Sequence, residues 1–369
     1  MRARDLGIAV GRGRPGPENA ITDVRGVRVG FTTLIEGDGP LQVGRGPVRT
    51  GVTVIVPHDG NVWEEPLFAG AHRLNGNGEL TGLEWIRESG MLMSLIGLTN
   101  THSVGVVRDA LVGIDARERS DPAQPFWALP VVGETWDGVL NDVNGMHVRP
   151  AHVLAAYETA ADGPVAEGNV GSGTGMICHE FKGGIGTASR VLDPESGGYT
   201  VGVLVQANHG RRERLAVNGA PVGAAMRVEE VPAPGASEAG SIIVVVATDA
   251  PLLPHQCTRV AQRASFGVAR TGGVGEHWSG DLLLAFSTAN RGMPASEMGA
   301  ETPLAVALEM LADAHMNAVF DAVVEATEEA IVNALLGAET MTGRDGVTAH
   351  AIDHDRLVAI LDRHAARTT

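Results

Sequence analysis

The sequence predicts a layered α+β fold, and three observations carry that prediction. Apolar, β-branched runs bounded by Gly, Pro or Asn recur along the chain. Segments with apolar residues at helical spacing lie between them, without the regular strand-helix-strand alternation of a doubly wound sheet. No repeat, low-complexity tract or hydrophilic linker interrupts the chain, so one domain is expected over residues 1–369.

The runs at 27–33, 51–56, 91–98, 199–206, 241–247 and 281–286 read as strands. Several stay apolar without alternation, as strands buried on both faces do. Residues 242–246, Ile-Ile-Val-Val-Val, form the most β-prone stretch. Helices are expected at 80–89, 104–118, 152–161, 251–267 and 354–367, where apolar side chains return every three or four residues. The segment 303–338 is rich in Ala, Glu and Leu, and its Pro303 suits a first helical turn. It exceeds a typical globular helix, so a break is expected near His315 to Asn317. The stretch 232–240, Pro-Ala-Pro-Gly-Ala-Ser-Glu-Ala-Gly, fits neither element and predicts an exposed connection that ends where Ser241 opens a strand.

Charge and composition exclude whole classes of function. Acidic residues outnumber basic ones 44 to 28, the formal net charge is −16, and Lys182 is the only lysine. Phosphate affinity needs concentrated Lys and Arg, so no nucleic-acid partner is expected. No run of about 18 apolar residues is present to span a membrane, and the apolar stretch 6–10 is shorter than a signal-peptide core. Cys178 and Cys257 are too few for a disulfide framework and lack C-x-x-C spacing, which predicts two buried thiols in a soluble, cytoplasmic protein.

Short motifs fall away on inspection. Gly11-Arg-Gly-Arg-Pro-Gly16 matches G-x-G-x-x-G, but Pro17 to Asp23 reads as a turn where a dinucleotide site needs a helix. Lys182 is followed by Gly183, so there is no P-loop. The histidines form no H-E-x-x-H, and His255 and Cys257 face different ways on a predicted helix; neither metal nor cofactor is expected. Ser172 has Val170 and Thr174 where a nucleophile elbow needs glycines.

What remains is the junction Gly240-Ser241. A serine at the head of a buried strand, after a connection of small residues, has the layout of a self-processing N-terminal nucleophile. Its hydroxyl attacks the preceding carbonyl, and hydrolysis frees a new α-amine. That amine, with an unperturbed pKa of about 7.7 to 8.0, can act as base beside its own hydroxyl. Gly240 would let the scissile peptide adopt a strained conformation. On these residues alone an ordinary loop-to-strand turn is the commoner explanation.

The surrounding segments tip that balance. Asn75-Gly-Asn-Gly-Glu-Leu-Thr-Gly-Leu-Glu-Trp85, Leu98-Thr-Asn-Thr-His-Ser-Val-Gly105, Gly133-Glu-Thr-Trp-Asp-Gly138 and Glu167-Gly-Asn-Val-Gly-Ser-Gly-Thr-Gly175 resemble successive signatures of the L-aminopeptidase/D-amidase-esterase family, which includes the β-peptidyl aminopeptidases. So do Val203-Leu-Val-Gln-Ala-Asn208, Gly240-Ser-Ile-Ile-Val-Val-Val246, Trp278-Ser-Gly-Asp281 and Glu329-Ala-Ile-Val-Asn-Ala-Leu335. The resemblance runs in order from near Asp23 to near Leu357. It implies an αββα sandwich similar to the N-terminal nucleophile hydrolases but with different strand connectivity. It also implies self-cleavage into 1–240 and 241–369, a homotetramer of processed units, and hydrolysis of small peptides, amino-acid amides or esters.

By matching position, Ser241 resembles the family nucleophile and Asn208 the side-chain donor of its oxyanion hole. Ser279 and Asp281 resemble the pair that orients the nucleophile, and Glu134 the acid facing the substrate ammonium. Read without the resemblance, Asn208 fits a turn before His209, Ser279 and Asp281 a polar start to a strand, and Glu134 a solvated loop. Met146 sits where some family members carry a different side chain, and no role follows for it. The glycine-rich 169–175 would suit an anion nest but is more often a tight turn. Two other functions stay open on the residues: an acyltransferase similar to the ornithine acetyltransferases, which use a threonine nucleophile, and a ligand-binding scaffold that never cleaves.

Overall fold

The computed structural model describes residues 1–367 apart from 120, 122, 124, 236–239 and 295–301. In chain order the first half contains β1 (Arg28–Glu36), β2 (Val48–Val56), β3 (Leu67–Arg73), α1 (Leu83–Ser89), β4 (Met91–Leu92), β5 (Ile96–Asn100), α2 (Val104–Glu118), β6 (Val131–Thr135) and α3 (Pro150–Glu158). The second half continues with β7 (Ile177–Cys178), β8 (Phe181–Lys182), β9 (Gly184–Val191), β10 (Thr200–Asn208), α4 (Val222–Ala225) and β11 (Ser241–Thr248). It closes with α5 (Pro254–Arg270), β12 (Gly280–Ser287), α6 (Met316–Leu336), β13 (Met341–Thr342), β14 (Thr348–Ala349) and α7 (His354–Arg363).

Two sheets stack face to face. One has the order β1-β2-β5-β6 and the other β4-β3-β12-β11-β10-β9. Ile55, Leu98 and Val131 of the first sheet meet Leu204, Ile243, Val245 and Leu284 of the second in a shared core. On the outer face of the smaller sheet, α2 and α3 bury Val107, Leu111 and Val153 against Val52 and Val54. On the outer face of the larger sheet, α5 and α6 bury Val260, Val323 and Ile331 against Val203 and Val244. The result is the four-layer αββα sandwich that the resemblance implied.

This layering explains the least alternating run in the sequence. All eight residues of β11 are buried, with Ile242, Val244 and Val246 facing the helices and Ile243 and Val245 facing the other sheet. A strand with two buried faces has no use for polar alternation. Each such side chain contributes roughly 1.5 to 3 kcal/mol of burial, which anchors the strand that Ser241 opens.

Several elements depart from the sequence reading. The run 91–98 is not one strand: Met91–Leu92 pairs with β3 in the larger sheet, and Ile96–Asn100 pairs with β2 and β6 in the smaller one. Its unbroken apolarity comes from crossing between two buried sheets. The segment 303–312 is not helical, and the long helix begins at Met316, inside the expected break. Strands β3, β6 and β9 were not expected. In β9 the sequence Gly-Ile-Gly-Thr-Ala-Ser-Arg-Val carries little β propensity because α6 lies directly on it. A Cβ on Gly186 would lie 2.0 Å from the carbonyl oxygen of Ala330. Among the described residues no helix is long and apolar enough to cross a membrane.

Candidate active site

Sheet register gathers the site. The antiparallel pairing of β10 with β11 sets Asn208 opposite Ser241, and the parallel pairing of β11 with β12 sets Ser241 opposite Gly280. Three neighbouring strands thus place these residues together at one end of the larger sheet. Ser241 is buried, and its Oγ accepts the Gly280 N–H at 3.0 Å. That bond holds the hydroxyl in place and favours the negative charge that develops as its proton leaves.

The Asn208 amide is fixed from two sides. Its Oδ1 accepts the Ile177 N–H at 2.7 Å, and its Nδ2 donates to the Trp136 carbonyl at 3.0 Å. These partners set the amide plane and decide which end is nitrogen. The second Nδ2 hydrogen is left to donate elsewhere. Asn208 is therefore the last residue of a buried strand rather than a turn residue.

Ser279 and Asp281 form one unit. Ser279 Oγ donates to Asp281 Oδ1 at 2.5 Å, with both side chains buried. Burial pushes the Asp281 carboxyl up to about 6, the nearby Glu276 charge adds to the rise, and the Ser279 hydrogen bond opposes it. The Asp281 N–H donates to Asn75 Oδ1 at 2.6 Å, which ties the start of β12 to the turn after β3.

Glu134 is a buried strand residue and not a solvated loop acid. It lies on β6 opposite Thr99 and accepts the Glu79 N–H at 2.9 Å and the Thr101 hydroxyl. Burial raises its pKa, while these two donors favour the anion. Gly78 lies between it and Gly280, the strand neighbour of Ser241: a Cβ there would lie 3.1 Å from both Glu134 Oε1 and Gly280 Cα. Two backbones and a carboxylate meet where a side chain would be tight.

A crevice opens over this end of the sheet, lined by Trp136, Val139, Ile177, Asn208, Gly240 and Ser279 among others. Ser241 and Asp281 are not in its lining, and Glu134 lies beyond Gly78. Residues 236–239 of the connection before Ser241 lie outside the described residues. At Gly240 the need for glycine comes from close approach, because a Cβ would sit 2.7 Å from the Asn208 carbonyl oxygen. Met146 is exposed and away from the crevice lining. The glycine-rich turn at 171–173 is buried against β1 and β2, with Gly171 N–H donating to Thr33 and Lys182 Nζ donating to the Gly173 carbonyl, so it forms no open nest.

Sequence reasoning missed several supports of the site. Asn75 Nδ2 donates to the Glu276 carbonyl and Asn77 Nδ2 to the Trp278 carbonyl, so the 75–78 turn braces the segment carrying Ser279. Thr101 and the Ile177 N–H orient Glu134 and Asn208. The only signal for any of these was the Asn-Gly-Asn-Gly pattern at 75–78, which marks a turn whose side chains bond to backbone.

The model of peptidase family S58 matches residues 19–349. Beta-peptidyl aminopeptidase BapA of Sphingosinicella microcystinivorans is 49% identical over 378 residues, covering 98% of this chain and 92% of that protein. Among solved structures, a Burkholderia sp. beta-aminopeptidase is similar with a TM-score of 0.92 and 54% identity, over 98% of this chain and 99% of that one. The L-aminopeptidase D-Ala-esterase/amidase of Ochrobactrum anthropi, described as a prototype serine aminopeptidase with a variant Ntn hydrolase fold, has a TM-score of 0.89 and 45% identity over 100% of this chain and 99% of that one. Likeness of this degree along nearly the whole of each chain, on the sandwich described above, leaves one assignment: this chain belongs to peptidase family S58.

Proposed function

We propose that the chain is a self-processing serine aminopeptidase that removes the N-terminal residue from small peptides, amino-acid amides or esters. The observation that carries this reading is the register that sets Asn208, Ser241 and Gly280 side by side, with the Ser279–Asp281 pair next in line. Cleavage between Gly240 and Ser241 divides the chain into 1–240 and 241–369 and releases the Ser241 α-amine as the base. Ser241 Oγ then attacks the substrate carbonyl, the amine leaves with a proton, and water hydrolyses the acyl ester. Asn208 donates its free Nδ2 hydrogen to the oxyanion, and Glu134 pairs with the substrate ammonium. Water is the default acceptor, and the hydrolase relatives favour this reading over an acyltransferase or a silent scaffold. A cytoplasmic homotetramer of processed units is part of the same proposal, supported by the family resemblance. The direct test is the intact mass of the purified protein: two fragments divided at Ser241 are expected, and a single full-length mass in active protein would overturn the proposal.

Replacing Asn208 by alanine should lower kcat by about a hundredfold, near 3 kcal/mol for one oxyanion donor. KM should change less, because the donor's bond strengthens in the transition state. Near wild-type kcat would remove Asn208 from the mechanism.

Activity should fall below the free amine's value of about 7.7 to 8.0, where the proposed base becomes protonated, and fall again in a second limb near the Asp281 value of about 6. Protonation removes the charge that makes Asp281 a strong acceptor for the Ser279 hydroxyl, so that support weakens as pH falls through the second value. A profile of kcat against pH for wild type and Asp281→Asn checks this. Asp137, which burial also holds at about 6, is the alternative source. Persistence of the second limb in Asp281→Asn would transfer it there.

A further inference from the structure

We propose that Cys178, His179 and His209 form a binding site for a soft monovalent cation, copper(I), set behind the Asn208 amide. One ligand atom from each residue lies within 4.8 Å of the other two, and all three residues are buried. Their separation in sequence hid the site: Cys178 ends β7, His179 begins the turn into β8, and His209 follows the last residue of β10.

The His179 imidazole is primed as a ligand. His179 Nδ1 lies 3.1 Å from the Arg211 carbonyl, which can only accept, so Nδ1 carries the proton and Nε2 presents a lone pair. A hydrogen bond of that kind to the remote nitrogen is what orients a metal-bound histidine. Nε2 of His179 and Nε2 of His209 are both buried without a hydrogen-bond partner. An orphaned lone pair on His179 Nε2 in a buried cluster is costly to the fold unless something else occupies it; His209 faces the sulfur through Nδ1, so Nδ1 is its ligand atom and Nε2 keeps the proton. The Cys178 sulfur stands 3.9 Å from His209 Nδ1, completing the set.

Charge selects the cation. One thiolate and two neutral imidazoles make a neutral complex with a monovalent ion, whereas a divalent ion leaves a net positive charge buried near Lys182 and Arg212. Burying an uncompensated charge is expensive. A thiolate also favours copper(I) among soft ions. In the empty site burial pushes the Cys178 thiol up to about 12, so binding displaces its proton to solvent while copper stays in the +1 state. Bond lengths near 2.0 to 2.3 Å require ligand atoms about 3.5 Å apart, so the cluster, whose ligand atoms lie within 4.8 Å of one another and whose sulfur stands 3.9 Å from His209 Nδ1, must contract on binding. His209 lines the crevice, which gives the cation a way in.

Contraction would be felt at the catalytic amide. Ile177, next to Cys178, holds Asn208 Oδ1, and the His179 N–H donates to the His209 carbonyl at 2.7 Å. Copper(I) should therefore lower kcat; this consequence rests on the proposed role of Asn208, while binding itself does not.

The test is anaerobic titration of the full chain with copper(I) in competition with a colorimetric copper(I) chelator. One ion per chain is expected for wild type and for the control Cys257→Ser. Outer-shell partners alone are worth roughly ten- to a hundredfold in affinity, so Cys178→Ser and His179→Gln, checked for folding by circular dichroism, should weaken binding by more than about a hundredfold. Undiminished binding in either variant, or no binding by wild type, overturns the site. Copper K-edge absorption on wild type needs no variant and should report one sulfur and two nitrogen neighbours; a shell without sulfur overturns it. Tighter binding of Zn2+ than of copper(I) overturns the monovalent assignment. Unchanged kcat with one equivalent bound overturns the coupling to Asn208.

Discussion

Ser241→Ala is expected to give a folded, uncut chain with no measurable turnover. In the proposed mechanism the hydroxyl is the attacking group both in the cleavage before Ser241 and in acyl transfer, so its loss should remove the two reactions together. The fold should survive. Alanine leaves the Gly280 N–H without its acceptor, which costs about 1 to 3 kcal/mol, against a strand buried on both faces from Ile242 to Thr248. A denaturing gel should show one band where wild type shows two, intact mass should equal that of residues 1–369, and circular dichroism should match wild type. If the variant still splits before position 241, Ser241 is not the attacking group. If it remains whole but keeps wild-type turnover, nucleophilic catalysis by Ser241 is wrong.

What was legible in the sequence, and what was not, follows from where each signal lives. Strands such as β11 and β12 announce themselves because both faces are buried and the apolar run is continuous. Strands β6 and β9 do not, because Gly133 packs against Ile243 and Gly186 against α6, and residues chosen for close approach carry no β signal. Within the site, Ser279 and Asp281 are two residues apart at the head of a strand, a spacing compatible with their pairing, but it took the family resemblance to set that reading above a plain polar strand entry. Glu134 depends on Thr101 from another strand end and on Gly78 from a third segment, contacts that only the stacked sheets create. On sequence Cys178 reads singly as a buried thiol and His209 as a structural or surface histidine; they become a cluster only because the β7–β8 turn folds back onto the end of β10.

N-acetylation of the substrate is the other change expected to have a large effect. Glu134 is held in place by the Glu79 N–H and the Thr101 hydroxyl, two donors that favour its charged form, while burial works against that form. In the proposed binding mode a substrate ammonium offsets the burial penalty by pairing with the carboxylate, and the charge-assisted bond orients the scissile carbonyl toward Ser241. Acetylation deletes the positive charge and adds bulk at the same position. Removing one partner of a buried ion pair costs roughly 3 to 5 kcal/mol, so kcat/KM for an N-acetyl aminoacyl p-nitroanilide should fall by more than about a hundredfold relative to the free amine. Glu134→Gln should produce a comparable loss on the free-amine substrate and a much smaller one on the acetylated compound, since the interaction it removes is already absent there. The double comparison separates recognition from folding: a variant damaged in structure loses both substrates equally. Similar kcat/KM for the free and acetylated anilides with wild-type enzyme would sink the ammonium site and, with it, the role proposed for Glu134.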